Sequence, residues 1–267
     1  MNKHIILTRP AGKNQALKTR LEAEGFSVSD MPAMLLSPLP LTAEQIPDLA
    51  KYKLIFFVSG YAVQVFFNLL EKHGLQWPVK AFAGAVGAAT AEALLHKGVS
   101  AGQIIAPDPG NTMQDSEAFF DELQKKGLVS FSDVLVVRGQ SGRQWLADKL
   151  SELHVRVDFL PVYQRTARSW SETEKQEIMS ALRAEKKVSW LLTSNEGVDS
   201  VFNELERYHL MQYCFKQRFV VTHPRIAGYV LQLLQKAANS CKQVGISPDI
   251  NLCQPNDESI FEILSIS

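Results

Sequence analysis

Cysteine is scarce in this sequence, and neither sign of charge is in excess. The 267 residues include 3 cysteines, Cys214, Cys241 and Cys253, none in a CxxC pair. Such an odd, scattered set fits free thiols in a reducing compartment better than a disulfide or zinc framework. Lysine and arginine together number 28, as do aspartate and glutamate. Because no basic surplus remains, we do not expect a general nucleic-acid-binding protein.

Long apolar runs and the common cofactor motifs are also missing. No apolar stretch approaches the roughly 20 residues of a membrane span, and the first residues, MNKHIILTRP, contain no apolar segment of a signal peptide. The chain has no HExxH, CxxC, GxGxxG or GxxxxGKS/T motif for a metal, a redox pair, a dinucleotide or a nucleotide phosphate. We therefore expect a cytoplasmic protein that does not bind a membrane.

What the chain does contain is an alternation of short apolar segments with amphipathic helices. Leu54–Phe57 is a continuous apolar run of strand length, typical of a strand covered on both faces in a parallel sheet. After it, apolar residues recur with the helical period from Val63 to Leu70. The same alternation predicts strands at Ile5–Leu7, Ala81–Val86, Gln103–Ala106, Val134–Val137, Trp190–Leu192, Phe219–Val221 and Ile250–Cys253. This pattern predicts an α/β fold with helices on both faces of parallel sheets and ligands at the carboxyl ends of the strands.

The two halves of the chain repeat one another. Matching positions are Arg9 with Arg138, Leu17 with Leu146, Leu21 with Leu150, and Val58–Val63 with Thr193–Val198. Each half also contains an extended segment around a proline, Pro32 in the first and Pro161 in the second, and proline is excluded from helix interiors. Pro38 and Pro40 make the segment after the first joint an exposed connector that cannot be a central strand. The chain is long enough for two domains and crosses the same kind of joint twice.

Seven blocks of sequence follow one another in a defined order: LTRP, FVSGYAV, AVGAATAEAL, VVRGQSGR, PVYQR, LLTSNEGV and VVTHPRIA. In this order, and with these gaps, they resemble the uroporphyrinogen-III synthase family over nearly the whole chain. The resemblance implies two parallel-sheet, three-layer α/β domains joined by a two-stranded β-ladder. By it, residues 1–34 and 167–267 form one discontinuous domain and residues 41–159 the other. Residues 35–40 and 160–166 are the linker strands, and the active site is the cleft between the domains.

The resemblance also implies the reaction. In this family the linear tetrapyrrole hydroxymethylbilane, which carries eight carboxylates, loses its terminal hydroxyl and closes to uroporphyrinogen III with the last pyrrole ring inverted. No metal and no organic cofactor is needed, in agreement with the missing motifs. The expected partners are this substrate and the preceding enzyme of the pathway, and we expect a monomer. Two alternatives stay open: a two-lobed protein that binds a small molecule without changing it, and a degenerate synthase domain without activity.

Helix N-termini offer a way for a neutral protein to hold many carboxylates, because their free backbone N–H groups attract anions. Candidate substrate-binding residues at predicted helix starts are Ser59, Gly60, Thr90, Thr193, Ser194, Asn195 and Thr222. The simpler role for each Ser or Thr is to cap its own helix, as we also expect of Ser116 and Ser259. The chain departs from the family where Val58 takes the place of a threonine and where Pro224–Ile226 replace a hydroxyl residue of some members.

Four arginines follow apolar strands or begin helices, where a guanidinium can pair with a carboxylate. We predict substrate binding by Arg9, Arg138, Arg143 and Arg225, together with Gly139 next to Arg138. The alternative for Arg138 is that it holds the loops of its own domain together.

Tyr163 is the predicted catalytic residue. It lies in the extended segment FLPVYQRT, residues 159–166, and is a hydroxyl-bearing side chain on an otherwise apolar run. A tyrosine phenol is protonated at neutral pH and can donate to a departing hydroxide. The alternative is that the ring serves strand packing alone. The resemblance places the family's tyrosine of this VYQ motif in the active-site cleft, which favours the catalytic role.

Overall fold

The computed structural model describes residues 4–108, 115–129, 131–241, 243 and 247–266. The chain divides into two compact units. The first contains the residues up to Leu35 and those from Thr166 onward, and the second is Leu36–Arg165. The chain therefore leaves the first unit once and returns to it once. The domain bounds given above, with their linker segments 35–40 and 160–166, stay a prediction.

The described residues form strands and helices that alternate along most of the chain. The strands are β1 (His4–Leu7), β2 (Ser27–Asp30), β3 (Met34–Pro38), β4 (Leu54–Phe57), β5 (Phe82–Ala85), β6 (Ile104–Ile105), β7 (Asp133–Gly139), β8 (Arg156–Ala167), β9 (Val188–Leu192), β10 (Arg218–Val221) and β11 (Asp249–Leu252). The helices are α1 (Gln15–Ala23), α2 (Gly60–Lys72), α3 (Ala88–His96), α4 (Ser116–Lys125), α5 (Trp145–Glu152), α6 (Glu172–Arg183), α7 (Asn195–Arg207), α8 (Met211–Cys214), α9 (Pro224–Ser240) and α10 (Asp257–Ser265).

The first unit is built on a parallel sheet with the strand order β11-β10-β9-β1-β2. Each face of this sheet has its own core. Ile6 and Trp190, which are paired in register, belong to the core that also contains residues of α6, α7 and α9. Ile5 and Leu7 point into the other core, formed with α1 and α10. Because both faces are covered, the whole of β1 is buried, which is why its sequence is continuously apolar after His4.

The second unit is built on a sheet with the order β3-β8-β7-β4-β5-β6. The strand pairings from β8 through β7, β4 and β5 to β6 are all parallel. Leu54 and Phe56 of β4 belong to one core, and Ile55 and Phe57 to the other. The predicted fold class of parallel sheets covered by helices on both faces is therefore confirmed for both units.

The two linker segments take part in the sheet of the second unit. β3 lies at its edge beside β8, where a strand that ends in proline is tolerated because one side needs no hydrogen-bond partner. Just beyond β3, the N–H of Leu39 donates to the carbonyl of Val162 at 2.8 Å. β8 also pairs with β7 along residues 156–163. The ladder is therefore continuous with a larger sheet rather than a free-standing ribbon.

Two local predictions were wrong. Asp115, not Ser116, caps α4, and Asn256, not Ser259, caps α10, because each lies where its side chain accepts from the third N–H of the helix. The segment after β8 contains Trp170, which is buried and stacks on Trp190 with ring centroids 6.2 Å apart.

The cysteines are free thiols, as expected, and two of them are buried. Burial raises the pKa of Cys214 to about 12 and that of Cys253 to about 11. Neither thiol is therefore ionised at neutral pH, and both serve as small apolar side chains. Within the described ranges, no helix combines the length and the apolar character that crossing a membrane requires.

Candidate functional site

Tyr163 lies at an irregularity in the pairing of β7 with β8. Arg138 is opposite Pro161, but the next residue, Gly139, is opposite Tyr163, so Val162 is an extra residue in β8. Successive side chains of a regular strand face opposite sides of a sheet, whereas Val162 and Tyr163 belong to the same core. A bulge re-aims side chains in this way. It also accommodates Pro161, which has no N–H for the ladder.

The ring of Tyr163 is held closely by its surroundings and is 1% exposed. A Cβ atom added to Gly139 would be 2.9 Å from Cε2 of the tyrosine, so only glycine leaves room for the ring there. The ring of Tyr61 meets it edge-on, with centroids 5.1 Å apart and planes at 84°. Arg165 donates from Nη2 to the phenol oxygen at 3.3 Å. The phenol therefore accepts a bond from a cation, and no described residue accepts the phenol's own proton.

Arg138 is the buried cation of the same region and is 6% exposed. Its Nε donates to the carbonyl of Gly139 at 3.2 Å, and its Nη1 donates to the carbonyl of Arg143 at 3.4 Å. The guanidinium also lies 5.2 Å from the centre of the Phe159 ring. Burial lowers the pKa of Arg138, and Tyr163 and Arg165 act on it in opposite directions. No carboxylate among the described residues contacts this guanidinium.

The three other candidate arginines are placed differently. Arg143 forms an exposed ion pair with Glu117, with Nη2 and Oε1 2.5 Å apart. Arg9 donates to Asn14 at 2.8 Å and to Asp257 at 2.6 Å, which ties the loop after β1 to the start of α10. Arg225 is exposed, and its Nε lies 3.4 Å from Nδ1 of His223. Of the four, Arg138 is the one that is buried and has no carboxylate partner in the part of the chain that the structure describes.

Helix capping accounts for two of the candidate hydroxyls. Ser59 caps α2 by accepting from the N–H of Ala62 at 3.2 Å. Ser194 caps α7 by accepting from the N–H of Gly197 at 3.0 Å. The simpler role weighed for these two serines is therefore present in the structure, but it does not exclude a ligand at the same helix ends.

None of the three candidate threonines caps a helix. The predicted starts of α3, at Thr90, and of α9, at Thr222, were therefore wrong. Thr90 is the third residue of α3 and is buried, and the cap position of that helix is Gly87. Thr222 precedes His223, whose Nδ1 accepts from the N–H of Arg225 and caps α9. Thr193 lies half-buried between β9 and the cap of α7. After Arg138 the chain turns before α5, which begins at Trp145.

The candidates collect at the carboxyl ends of strands, in a separate group for each unit. In the second unit, Ser59, Gly60, Thr90 and Arg143 follow β4, β5 and β7, Arg138 and Gly139 end β7, and Tyr163 lies opposite Gly139 within β8. In the first unit, Arg9, Thr193, Ser194, Asn195, Thr222 and Arg225 follow β1, β9 and β10, which are neighbours in the sheet. Parallel strands bring all their carboxyl ends to one edge, where ligands bind in α/β folds. The sequence analysis did not single out Tyr61, which adjoins Gly60, or Arg165, which lies two residues after Tyr163.

No group of three or more His, Cys, Asp or Glu side chains in the described ranges is arranged to hold a metal ion. The arrangement instead offers a phenol, two guanidinium groups and the N-termini of helices. Such a site can donate a proton and bind carboxylates.

These features define a class: an α/β protein of two units, one of them discontinuous, with polar groups at the carboxyl edge of each parallel sheet. The family model described as "Uroporphyrinogen-III synthase HemD" matches residues 15–247, so the chain belongs to the uroporphyrinogen-III synthase family. The resemblance seen in the seven sequence blocks is thereby confirmed. Enzymes of this family close a tetrapyrrole ring without a cofactor.

Named relatives and solved structures agree with this membership. The uroporphyrinogen-III synthases of Salmonella typhimurium and Escherichia coli are each 28% identical, over 86% of this chain and 91% of their own. A mutant uroporphyrinogen III synthase of Thermus thermophilus superimposes with a TM-score of 0.59 at 16% identity, covering 98% of this chain and 96% of its own. The synthetase of Helicobacter pylori gives 0.57 at 15% identity, covering 99% and 98%. At these identities the two structures show the fold alone.

Proposed function

We propose that this protein is an active synthase that converts hydroxymethylbilane to uroporphyrinogen III, with Tyr163 as the acid. The observation that carries the proposal is the phenol of Tyr163, which accepts a hydrogen bond from Arg165 and donates to no described residue. The buried charge of Arg138, which has no described carboxylate partner, supports the binding of an anionic substrate beside it. Membership of the family supplies the reaction.

In the proposed chemistry, the C–O bond of the terminal hydroxymethyl group breaks as Tyr163 gives its proton to the departing oxygen, so that water leaves. The nitrogen lone pair of the attached pyrrole stabilises the carbon cation that forms. The guanidinium of Arg165 stabilises the phenolate, because a charge-assisted hydrogen bond is stronger than a neutral one.

For the inverted product, the substituted α-carbon of the last pyrrole attacks this carbon cation, and the bond from that α-carbon to its own bridge carbon then breaks. The released bridge carbon is again a cation stabilised by a pyrrole nitrogen, and the free α-carbon of the last pyrrole attacks it. That carbon loses a proton, and this proton restores the phenol. The phenol of Tyr163 thus acts first as the acid and afterwards, as the phenolate, as the base.

Tyr163 is covered in this structure, so the proposal includes a movement of its surroundings when the substrate binds. Arg165 is the exposed member of the group, and its contact with the phenol is long, at 3.3 Å. A long bond of this kind is weaker than one near 2.9 Å. We propose that Arg165 moves to bind a substrate carboxylate and thereby opens the way to the phenol.

The remaining carboxylates are proposed to bind the helix ends at the carboxyl edges. Backbone N–H groups at the starts of α2 and α7, including those of Gly60 and Asn195, would bind anions with the help of Ser59, Thr193 and Ser194. Thr90, Gly139, Thr222, Arg9, Arg143 and Arg225 stay candidate contacts. The existing bonds of Arg9 and Arg143 to Asp257 and Glu117 would have to open first.

The direct test is incubation with freshly made hydroxymethylbilane, followed by separation of the two macrocycle isomers. The bilane closes unaided to the uninverted isomer, so the expected result is rapid formation of the inverted isomer at the expense of the other. If the inverted isomer appears no faster with the protein than without it, the chain is a binding protein or a degenerate synthase. Tight binding of the bilane without turnover would then indicate a binding protein. Absence of both binding and turnover would indicate a degenerate synthase domain.

Replacing a single hydroxyl should weaken substrate binding only slightly, because many neutral groups bind the same substrate. Ser59→Ala, Thr90→Ala and Thr193→Ala should each weaken substrate binding by about 1 kcal/mol, the usual net contribution of one hydrogen bond. KM is measured for each variant, together with its free energy of unfolding. Ser171→Ala is the matched control, since Ser171 caps α6 and is no candidate; it should lose about 1 kcal/mol of stability with KM unchanged. Complete inactivity of any folded hydroxyl variant would contradict shared binding.

We also propose that the two compact units are separate domains, with bounds 1–34 plus 167–267 and 41–159. Support comes from the division of the contacts near Leu35 and Thr166. Hydrogen exchange in increasing urea reports which amides open together. The amides of β1 should open with those of β9, far away in sequence, and not with those of β4. Exchange of β1 together with β4 would contradict the discontinuous domain.

The proposal further includes a cytoplasmic location, a monomeric state and receipt of the substrate from the preceding enzyme. The free thiols of Cys214, Cys241 and Cys253 support a reducing compartment. The other two points rest on the family resemblance.

A further inference from the structure

Tyr61 connects three parts of the second unit. It is the second residue of α2 and directly follows the candidate pair Ser59 and Gly60. Its ring meets that of Tyr163 edge-on, with centroids 5.1 Å apart. Its hydroxyl donates to the carbonyl of Leu36 in β3 at 3.2 Å. Tyr61 therefore belongs to a candidate binding helix, and its side chain contacts both the predicted acid and the strand by which the chain enters this unit.

The contact with Tyr163 has a defined geometry. Edge-to-face pairs of aromatic rings are favoured because the positive edge of one ring meets the negative face of the other, and the planes here are at 84°. The tyrosine ring also lies against Gly139, where a Cβ would be 2.9 Å from it. Tyr61 and Gly139 together therefore limit how far the Tyr163 ring can shift. The direction of the phenol oxygen depends on both contacts.

The bond to Leu36 holds Tyr61 itself in place. Burial raises the pKa of Tyr61, and the nearby Tyr163 adds to this shift, so the hydroxyl keeps its proton and remains a donor at neutral and mildly alkaline pH. Leu36 belongs to an edge strand, where a backbone carbonyl accepts from a side chain without loss of a ladder bond. The orientation of the Tyr61 ring is in this way tied to the position of β3.

We propose that Tyr61 is a positioning residue that aims the phenol of Tyr163 at the leaving hydroxyl and couples this aim to β3. The inference rests on the proposed function of Tyr163. Tyr61 acts through another side chain and is not proposed to touch the reacting atoms. Its loss should lower kcat and leave KM nearly unchanged, because a misdirected acid affects the transition state more than substrate binding.

The test compares Tyr61→Leu, Tyr61→Phe and Tyr163→Phe, with both Tyr61 variants also made in the Tyr163→Phe background. Tyr61→Leu removes the ring contact and should lower kcat about tenfold, a fraction of the effect of a general acid. Tyr61→Phe keeps the ring but loses the bond to Leu36, and should lower kcat about threefold to fivefold, as for one hydrogen bond. In the Tyr163→Phe background neither change should lower kcat further, because no phenol remains to be aimed. The matched control is Tyr52→Phe, which removes another buried phenol that donates to Asp158 at 2.7 Å; its kcat should equal that of the parent.

The outcomes separate the two proposals. If Tyr163→Phe lowers kcat but both Tyr61 variants keep it, Tyr61 does not position the acid and this inference is wrong while the proposed function stands. The inference is equally wrong if the Tyr61 effects persist in full in the Tyr163→Phe background, since they would then act by another route. If Tyr163→Phe keeps the parent rate, the proposed acid fails and the positioning role fails with it. Should Tyr61→Leu not fold, Tyr61→Phe and its double variant decide the matter by the same comparison.

Discussion

Tyr163→Phe is expected to slow formation of the inverted isomer by roughly 10- to 1,000-fold, near the range for losing one positioned acid. The substitution removes the proton donor and keeps the ring that packs against Tyr61 and Gly139. Substrate binding and the free energy of unfolding should therefore change little. Because the bilane also closes unaided, the uninverted macrocycle should accumulate. A hundredfold preference between the two paths needs only about 2.7 kcal/mol of differential barrier lowering.

The measurement is a single-turnover rate together with the isomer ratio, since the ratio reports how far the enzyme outruns the unaided reaction. Tyr52→Phe again serves as the control for loss of a buried phenol. If Tyr163→Phe forms inverted product at the parent rate, the tyrosine serves packing alone, and the protein works by shape and by the dipoles of its helix ends.

Gly139→Ala is expected to have an effect nearly as large, although alanine adds no chemistry. Its Cβ would lie 2.9 Å from Cε2, 3.0 Å from Cζ and 3.3 Å from the hydroxyl oxygen of Tyr163. The ring must move by several tenths of an ångström, and the phenol moves with it. Overpacking of this kind costs about 1–3 kcal/mol of stability. A displacement of about 1 Å at a reacting group can cost about a hundredfold in rate, so we expect a fall in kcat of about 10- to 100-fold.

The kinetic pattern of Gly139→Ala separates two roles for this glycine. If Gly139 makes room for the ring, kcat falls while KM stays close to the parent value. If Gly139 is instead a backbone contact of the substrate, KM rises and kcat is kept. The matched control is Gly228→Ala within α9, where an added Cβ meets nothing within 4 Å. That change should be neutral or stabilise the protein by about 0.5–1 kcal/mol. A folded Gly139→Ala with unchanged kcat and KM would contradict both roles.

The secondary structure of this protein was largely predictable from the sequence, and the errors of that prediction are local. Strands such as Leu54–Phe57 and Phe219–Val221 were predicted close to their observed bounds because a strand buried on both faces requires a continuous apolar run. The caps of α4 and α10 were misplaced because several adjacent residues there can accept from a helix N-terminus. Which of them does so depends on where the chain turns, and composition does not encode that position.

The candidate site was predictable as a set of positions but not as a set of contacts. Arg138 and Arg143 looked alike in sequence. Arg138 is buried with no carboxylate partner among the described residues, whereas Arg143 pairs with Glu117 on α4. Arg9 donates a hydrogen bond to Asp257, which lies 248 residues away in sequence. Pairings over such separations depend on the order of strands in the sheets, which local periodicity does not determine.

The sequence by itself determined the alternation of strands and helices, the internal repeat, the two proline joints and membership of the family, because each of these is a pattern of neighbouring residues. Only the tertiary structure decided which polar groups are available to a substrate. The extra residue at Val162 turns Tyr163 into the core against Gly139 and Tyr61. That placement follows from packing between segments more than 20 residues apart in sequence, so it could be read only once the chain was folded.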